Sequence, residues 1–288
     1  MTTAIEQLLE NYRPKSKNEY VNALHEIMQE LALMGLWRAK FFEHAAFYGG
    51  TSLRILYGLN RFSEDLDFSL LQPEPDFNLF PFLNAIEEEL EISGLKVDVE
   101  HRIKHPEESI RSAFLKTGTL ETFIRIGLDE YLKKHTQSNE VIKIKLEIDI
   151  DPPLGFATEI RYLTKPVPFF VRTYSPQDLF AGKMHALLCR PYKVRVKGRD
   201  WYDFIWYVAK GFHLHLAHLE TRIRQSGHYS LGNQLTKEVF IDLLEKKIQG
   251  LDVHAAKEDI KRFIRDPREI DGWSTDFFMS LLPQLLFV

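Results

Sequence analysis

The stretch Tyr48–Leu70, YGGTSLRILYGLNRFSEDLDFSL, decides how the rest of this chain is read. It follows the apolar run AAFY (45–48), which stops at Gly49-Gly50 as a buried strand would. From Thr51 to Tyr57 the apolar residues Leu53, Leu56 and Tyr57 recur at helical spacing. EDLDFSLL then alternates with period two, the pattern of a half-buried strand. In a strand, residues i and i+2 share a face about 7 Å apart. Asp65 and Asp67 therefore point one way, while Leu66, Phe68 and Leu70 point into the core. Two carboxylates on one face of a rigid strand suit a divalent cation. Mg²⁺ in particular takes one or two protein carboxylates together with substrate phosphates.

The glycines give the acid pair a context. A helix that starts at a glycine turn exposes backbone N–H groups and a partial positive charge, and so attracts phosphate. Glycine lets the backbone approach the ligand closely, and Thr51 and Ser52 add hydroxyl donors. The turn is not a Walker A loop, because no G-x-x-x-x-G-K-[ST] occurs in the chain. A phosphate cradle followed by two acids on the next strand is the layout expected for phosphoryl transfer.

Outward from this stretch, strands and helices interleave. The first forty residues read as helix, with Tyr20, Ala23, Leu24, Ile27, Met28 and Leu31 at the 3.6 period. FPFLNAIEEELEIS (80–93) reads as another. KVDVEHRI (96–103), TFIRIG (122–127), VIKIKLEIDID (141–151) and VPFFVRTY (167–174) read as strands. From Ser175, Pro176 and Asp178, an N-cap, a first-turn proline and an early acid, the pattern becomes helical. That helix should end before Pro191. The expected organisation is an α/β (α+β) domain with a mixed β-sheet and flanking helices over residues 1–174, then a mainly helical domain over 175–288.

Composition narrows the function classes. The chain has 288 residues, 44% hydrophobic and 27% charged, as in ordinary globular proteins. Its formal net charge of -4 means that any nucleic-acid surface must be local. One cysteine, Cys189, excludes an intramolecular disulfide and a multi-cysteine zinc site. The N-terminal residues lack a basic segment followed by an apolar run, and no apolar run approaches the roughly 18 residues of a membrane span. A cytoplasmic protein without a membrane partner is expected.

G-G-[ST]-x followed by R-x-S-x-D-L-D-F resembles the nucleotidyltransferase fold shared with DNA polymerase β, and more narrowly the AbiEii/AbiGii toxin family of bacterial nucleotidyltransferases. The residues that carry the resemblance are Gly49, Gly50, Thr51, Ser52, Arg61, Ser63, Asp65, Leu66, Asp67 and Phe68. It implies that the turn holds a triphosphate, with Arg61 and Ser63 beside it, and that Asp65 and Asp67 hold Mg²⁺ or Mn²⁺. A third acid is expected on a neighbouring strand. In VIKIKLEIDID, Glu147, Asp149 and Asp151 share one face with Lys143 and Lys145, so periodicity cannot choose among them. The resemblance favours Glu147, with Asp149 next, as metal ligand or base.

The resemblance continues downstream through D-x-x-x-x-K-x-x-A-L-x-x-R, here Asp178, Lys183 and Arg190, and R-D-x-x-D, here Arg199, Asp200 and Asp203. It implies that Lys183 contacts the triphosphate, that Arg199 belongs to the nucleotide site, and that Asp200 or Asp203 orders the site or the base. Asp178 reads instead as a capping residue. Lys193, Arg195 and Lys197 alternate in a connector that could touch RNA phosphates. His213, His215 and His218 have no cysteine or evident acid partner nearby and do not read as a metal set. The implied activity is NMP transfer from an NTP to an acceptor hydroxyl, with RNA, at a tRNA 3′ end, as acceptor. The implied setting is the toxin of a toxin–antitoxin pair, with a cognate antitoxin as partner. Transfer to a small molecule, as in antibiotic-modifying enzymes, and a non-catalytic nucleotide-binding protein are the alternatives.

Overall fold

The computed structural model describes residues 4–102, 109–125, 130–190, 196–228 and 234–288. They divide into two compact units. The first comprises Met1–Leu56, Phe62–Pro152 and Ile160–Thr173; the second gathers Tyr57–Arg61, Pro153–Glu159 and Tyr174–Val288.

The elements run α1 (Ala4–Tyr12), α2 (Lys17–Arg38), β1 (Ala45–Tyr48), α3 (Gly49–Tyr57), β2 (Leu66–Leu70), α4 (Phe80–Ile92), β3 (Asp98–Arg102) and β4 (Ile110–Gly118). They continue with α5 (Thr119–Arg125), α6 (Glu130–Lys134), β5 (Val141–Asp149), β6 (Thr158–Leu163) and β7 (Phe169–Tyr174). The strands form one mixed seven-stranded sheet in the order β3-β4-β5-β2-β1-β7-β6. β1 runs antiparallel to β2 and parallel to β7, and β2 runs parallel to β5. The core beside β1 and β2 is aromatic: Phe68 packs edge-on against Phe41 at 5.0 Å and lies 5.2 Å from Phe47, ring centre to ring centre. α2 starts where Ser16 accepts from the Glu19 N–H while Glu19 accepts from the Lys15 N–H, so two otherwise orphaned donors are satisfied.

Period two identifies β5 correctly. Ile142, Ile144, Leu146 and Ile148 are buried, and Lys145, Glu147 and Asp149 line the other face. Two stretches depart from expectation. TFIRIG is not a strand: Thr119–Arg125 is helix α5, and the rest of that stretch lies outside the described residues. The Thr122 hydroxyl donates back to the Gly118 carbonyl, a helical i−4 contact, and meets the Thr117 hydroxyl at 3.1 Å. An apolar run as short as Phe123-Ile124 cannot be assigned to helix or strand by periodicity. The preceding strand β4 carries no alternation to read, because Ser112, Ala113, Phe114 and Leu115 are all buried between β3 and β5.

The second unit holds α7 (Pro176–Cys189), α8 (Gly198–Ala209), β8 (His213–Leu214), α9 (Leu216–Ser226), α10 (Lys237–Gln249), α11 (Val253–Ile260), α12 (Thr275–Leu281) and β9 (Leu286–Phe287). α7 begins as its sequence predicts, with Ser175 accepting from the Asp178 N–H and Pro176 in the first turn. The α8 stripe is core: Trp201, Phe204 and Tyr207 are fully buried, with Tyr207 stacked on Phe180 at 4.3 Å.

Candidate active site

In the first unit, register builds the site. Asp67 on β2 is the direct partner of Tyr48 on β1 and of Glu147 on β5, and Glu147 is the partner of Ser112 on β4. Register partners on adjacent strands lie about 4.8 Å apart with side chains on one face. A polar row therefore crosses four strands of an apolar sheet. Asp149 is displaced along β5, where its partner is Ser69. Asp151 lies beyond the end of β5 and is exposed. The strand itself starts at Leu66, so Asp65 immediately precedes it.

Gly49 seats the helix start against this row. Its φ is +83°, and a Cβ added to it would overlap the Asp67 Oδ2 atom and sit 3.1 Å from the Asp67 Cγ. Only glycine brings the turn that close to the carboxylate. The hydroxyls of the turn are already engaged. Thr51 donates to the Asp65 carbonyl, and Ser52 donates to the Gly49 carbonyl at 3.2 Å; both side chains are fully buried. Thr51 ties the helix start to the residue just before β2, and Ser52 closes the turn on itself; the donors that a helix start offers an anion are then its backbone N–H groups. Gln29 donates to the Ser63 carbonyl at 3.1 Å. Arg54 joins Glu26 at 2.7 Å and stands over the Phe62 ring, tying α3 to α2 and to the loop before β2.

Glu147 carries its own cation. The Lys145 ammonium is 2.6 Å from Glu147 Oε1, and Ser112 Oγ is 3.4 Å from the same oxygen. Asp67 and Glu147 place carboxylates at paired positions on neighbouring strands, with Gly49 against the first of them, and oxygen donors of this kind are the type that suits a hard divalent cation.

In the second unit, Arg61, Lys183, Arg190, Asp200 and Asp203 form a chain of ion pairs. Arg61 grips Asp203 with Nε and Nη2, each 2.6 Å from a different carboxylate oxygen. Lys183 bridges Asp203 at 2.8 Å and Asp200 at 3.4 Å, and Arg190 closes on Asp200 at 2.6 Å. The facing of Lys183 and Arg190 from α7 follows their seven-residue spacing. Arg61 and Asp203 are 2% and 0% exposed, so Arg61 is buried in this chain rather than presented as a surface anion contact. Burial alone would raise the Asp203 carboxyl, but Arg61 and Lys183 outweigh it and hold it below its usual range. Asp203 is fully buried between Arg61 and Lys183 and fixes the position of both cations.

Arg199 stacks its guanidinium on Phe263 at 4.2 Å. Lys197 is half-buried at the start of α8, and burial with Arg190 beside it pulls its ammonium below the usual lysine range. Lys193 and Arg195 lie outside the described residues. Asp178 does more than cap α7. Its carboxylate accepts from the Ala157 N–H and the Ser175 hydroxyl and pairs with His215 Nδ1 at 2.6 Å. The sequence reading of the histidine stretch missed this acid partner because it arrives from another helix.

Among the described residues no helix is long and apolar enough to cross a membrane. No curated protein matches the chain. Two solved Helicobacter pylori structures share the fold. One is a candidate nucleotidyltransferase, 19% identical with a TM-score of 0.50, covering 90% of this chain and 89% of its own. The other, JHP933, is 17% identical with a TM-score of 0.50, covering 91% and 90%. A family model described as the nucleotidyl transferase AbiEii toxin of type IV toxin–antitoxin systems matches residues 31–279. The chain is a nucleotidyltransferase and belongs to the AbiEii toxin family.

Proposed function

We propose that this toxin transfers an NMP from an NTP to the hydroxyl of an RNA, at a tRNA 3′ end, with Mg²⁺ as the metal. The observation that carries the chemistry is the register pairing of Asp67 with Glu147 beneath the Gly49 turn. The RNA acceptor rests on the family resemblance, and its cognate antitoxin on the family's type IV toxin–antitoxin description.

Asp65, Asp67 and Glu147 would hold the metal. When bound, Mg²⁺ neutralises the phosphate oxygens and favours departure of pyrophosphate. The backbone N–H groups at the start of α3, from Gly49 to Ser52, bind the triphosphate oxygens and orient them. The acceptor oxygen bonds to the α-phosphorus as the bond from that phosphorus to the bridging oxygen of the β-phosphate breaks. Glu147 takes the hydroxyl proton, which requires it to leave Lys145. In the second unit, Asp200 and Asp203 fix the Lys183 ammonium, and Arg61 fixes Asp203.

Labelled NTPs incubated with total RNA and Mg²⁺ test the proposal. Labelling of tRNA should vanish with chelator and with Asp67→Asn. Glu147→Gln should lose at least about 100-fold, in the range for a lost base, while Asp149→Asn keeps most activity. A large loss in Asp149→Asn with Glu147→Gln intact would reverse the carboxylate assignment. Labelling of small molecules but not RNA would remove the acceptor.

A further inference from the structure

The lone cysteine has company that its sequence neighbours do not reveal. His185 and Cys189 are four residues apart on α7 and share a helix face. His228 follows α9 directly after its C-cap, Gly227. One potential ligand atom from each of His185, Cys189 and His228 lies within 4.8 Å of the other two. An ion with bonds of about 2.0–2.3 Å gathers its donors to roughly 3.3–3.8 Å from one another. Small side-chain rotations close the set.

A hydroxyl touches two of the three. Ser226 Oγ is 2.9 Å from His185 Nε2 and also hydrogen-bonds the Cys189 thiol. It is the polar atom that a bound ion would displace or take as a further ligand. His185 is half-buried, with its Nε2 turned toward Ser226. Cys189 is buried and its thiol is not acidic by itself. Binding would exchange the thiol proton for the ion, and so would strengthen as pH rises.

We propose that His185, Cys189 and His228 form a second metal site, for a thiolate- and imidazole-seeking cation of the Zn²⁺ class. The donor set separates it from the carboxylate site: one sulfur and two imidazoles select Zn²⁺, whereas carboxylates select Mg²⁺. The bound ion ties α7 to the end of α9. Because α7 also carries Lys183, the ion stiffens the helix that presents the central cation of the ion-pair chain.

The test uses the full chain, stripped with chelator and titrated with Co²⁺ and with Zn²⁺. Wild type should give a thiolate-to-cobalt charge-transfer absorption saturating at one equivalent, and Zn²⁺ should raise its Tm. Cys189→Ser should lose both. His228→Ala removes an exposed side chain, and should weaken binding more than about 100-fold, beyond what loss of an outer partner costs. Asp67→Asn should keep the absorption. Absence of the band in wild type, its persistence in folded His228→Ala, or its loss in Asp67→Asn would each overturn the site.

Discussion

Replacing Gly49 by alanine imposes two costs, and Gly58→Ala isolates one of them. Both glycines have left-handed backbones, with φ of +83° and +74°. A Cβ in that region costs roughly 1–2 kcal/mol. At Gly58 nothing lies within 4 Å of the added atom, so the conformational cost stands alone. At Gly49 the added atom overlaps the Asp67 carboxylate, which must retreat by about 1 Å to reach ordinary contact; such crowding adds about 1–3 kcal/mol. Gly58→Ala should therefore lower Tm by about 2–8 °C, at about 2–4 °C per kcal/mol, and leave transfer intact. Gly49→Ala should lower Tm further. It should also cut transfer about 100-fold, the cost of a 1 Å misplacement in a reacting site. Thermal unfolding and single-turnover transfer of labelled NMP read the two effects separately. If both variants lose equal stability and both keep activity, the claim that the glycine turn sets the position of Asp67 is refuted.

Asp203→Ala leaves Arg61 buried without its carboxylate and should cost about 3–5 kcal/mol in urea denaturation, whereas the double replacement Arg61→Met with Asp203→Leu should cost far less. A single-variant cost below about 1 kcal/mol would mean that solvent reaches the pair. Burial, aided by Glu26, pushes the Glu30 carboxyl up from 4.5 to about 7. The folded chain then holds that proton more tightly than the unfolded one. Stability is therefore lost as pH rises from 4.5 to about 7. Glu30→Gln should remove that slope in pH-dependent melting; a slope equal to wild type would show that Glu30 is not its source.

The sequence by itself determined the local elements whose pattern is dictated by one-sided burial. The faces of β5, the cap and first turn of α7, and the strand–glycine–helix–strand order from Ala45 to Leu70 follow from residues a few positions apart. α5 and β4 were not legible. In the first, the apolar run is too short to show a period; in the second, burial on both faces erases the alternation. Nor could periodicity rank Glu147, Asp149 and Asp151, which share one face; the family resemblance favoured Glu147, and inter-strand register sets it beside Asp67. The downstream charges show the same limit. The motif around Arg61 gives no sign of its partner: its side chain is 2% exposed and grips Asp203 with two nitrogens. Charge pairing over long chain separations is decided by which side chains share a low-dielectric space, and spacing along the chain does not encode that. Tyr48–Leu70 announced an acid pair and a phosphate turn; tertiary structure decided that Gly49 touches Asp67 and that Glu147 completes the row.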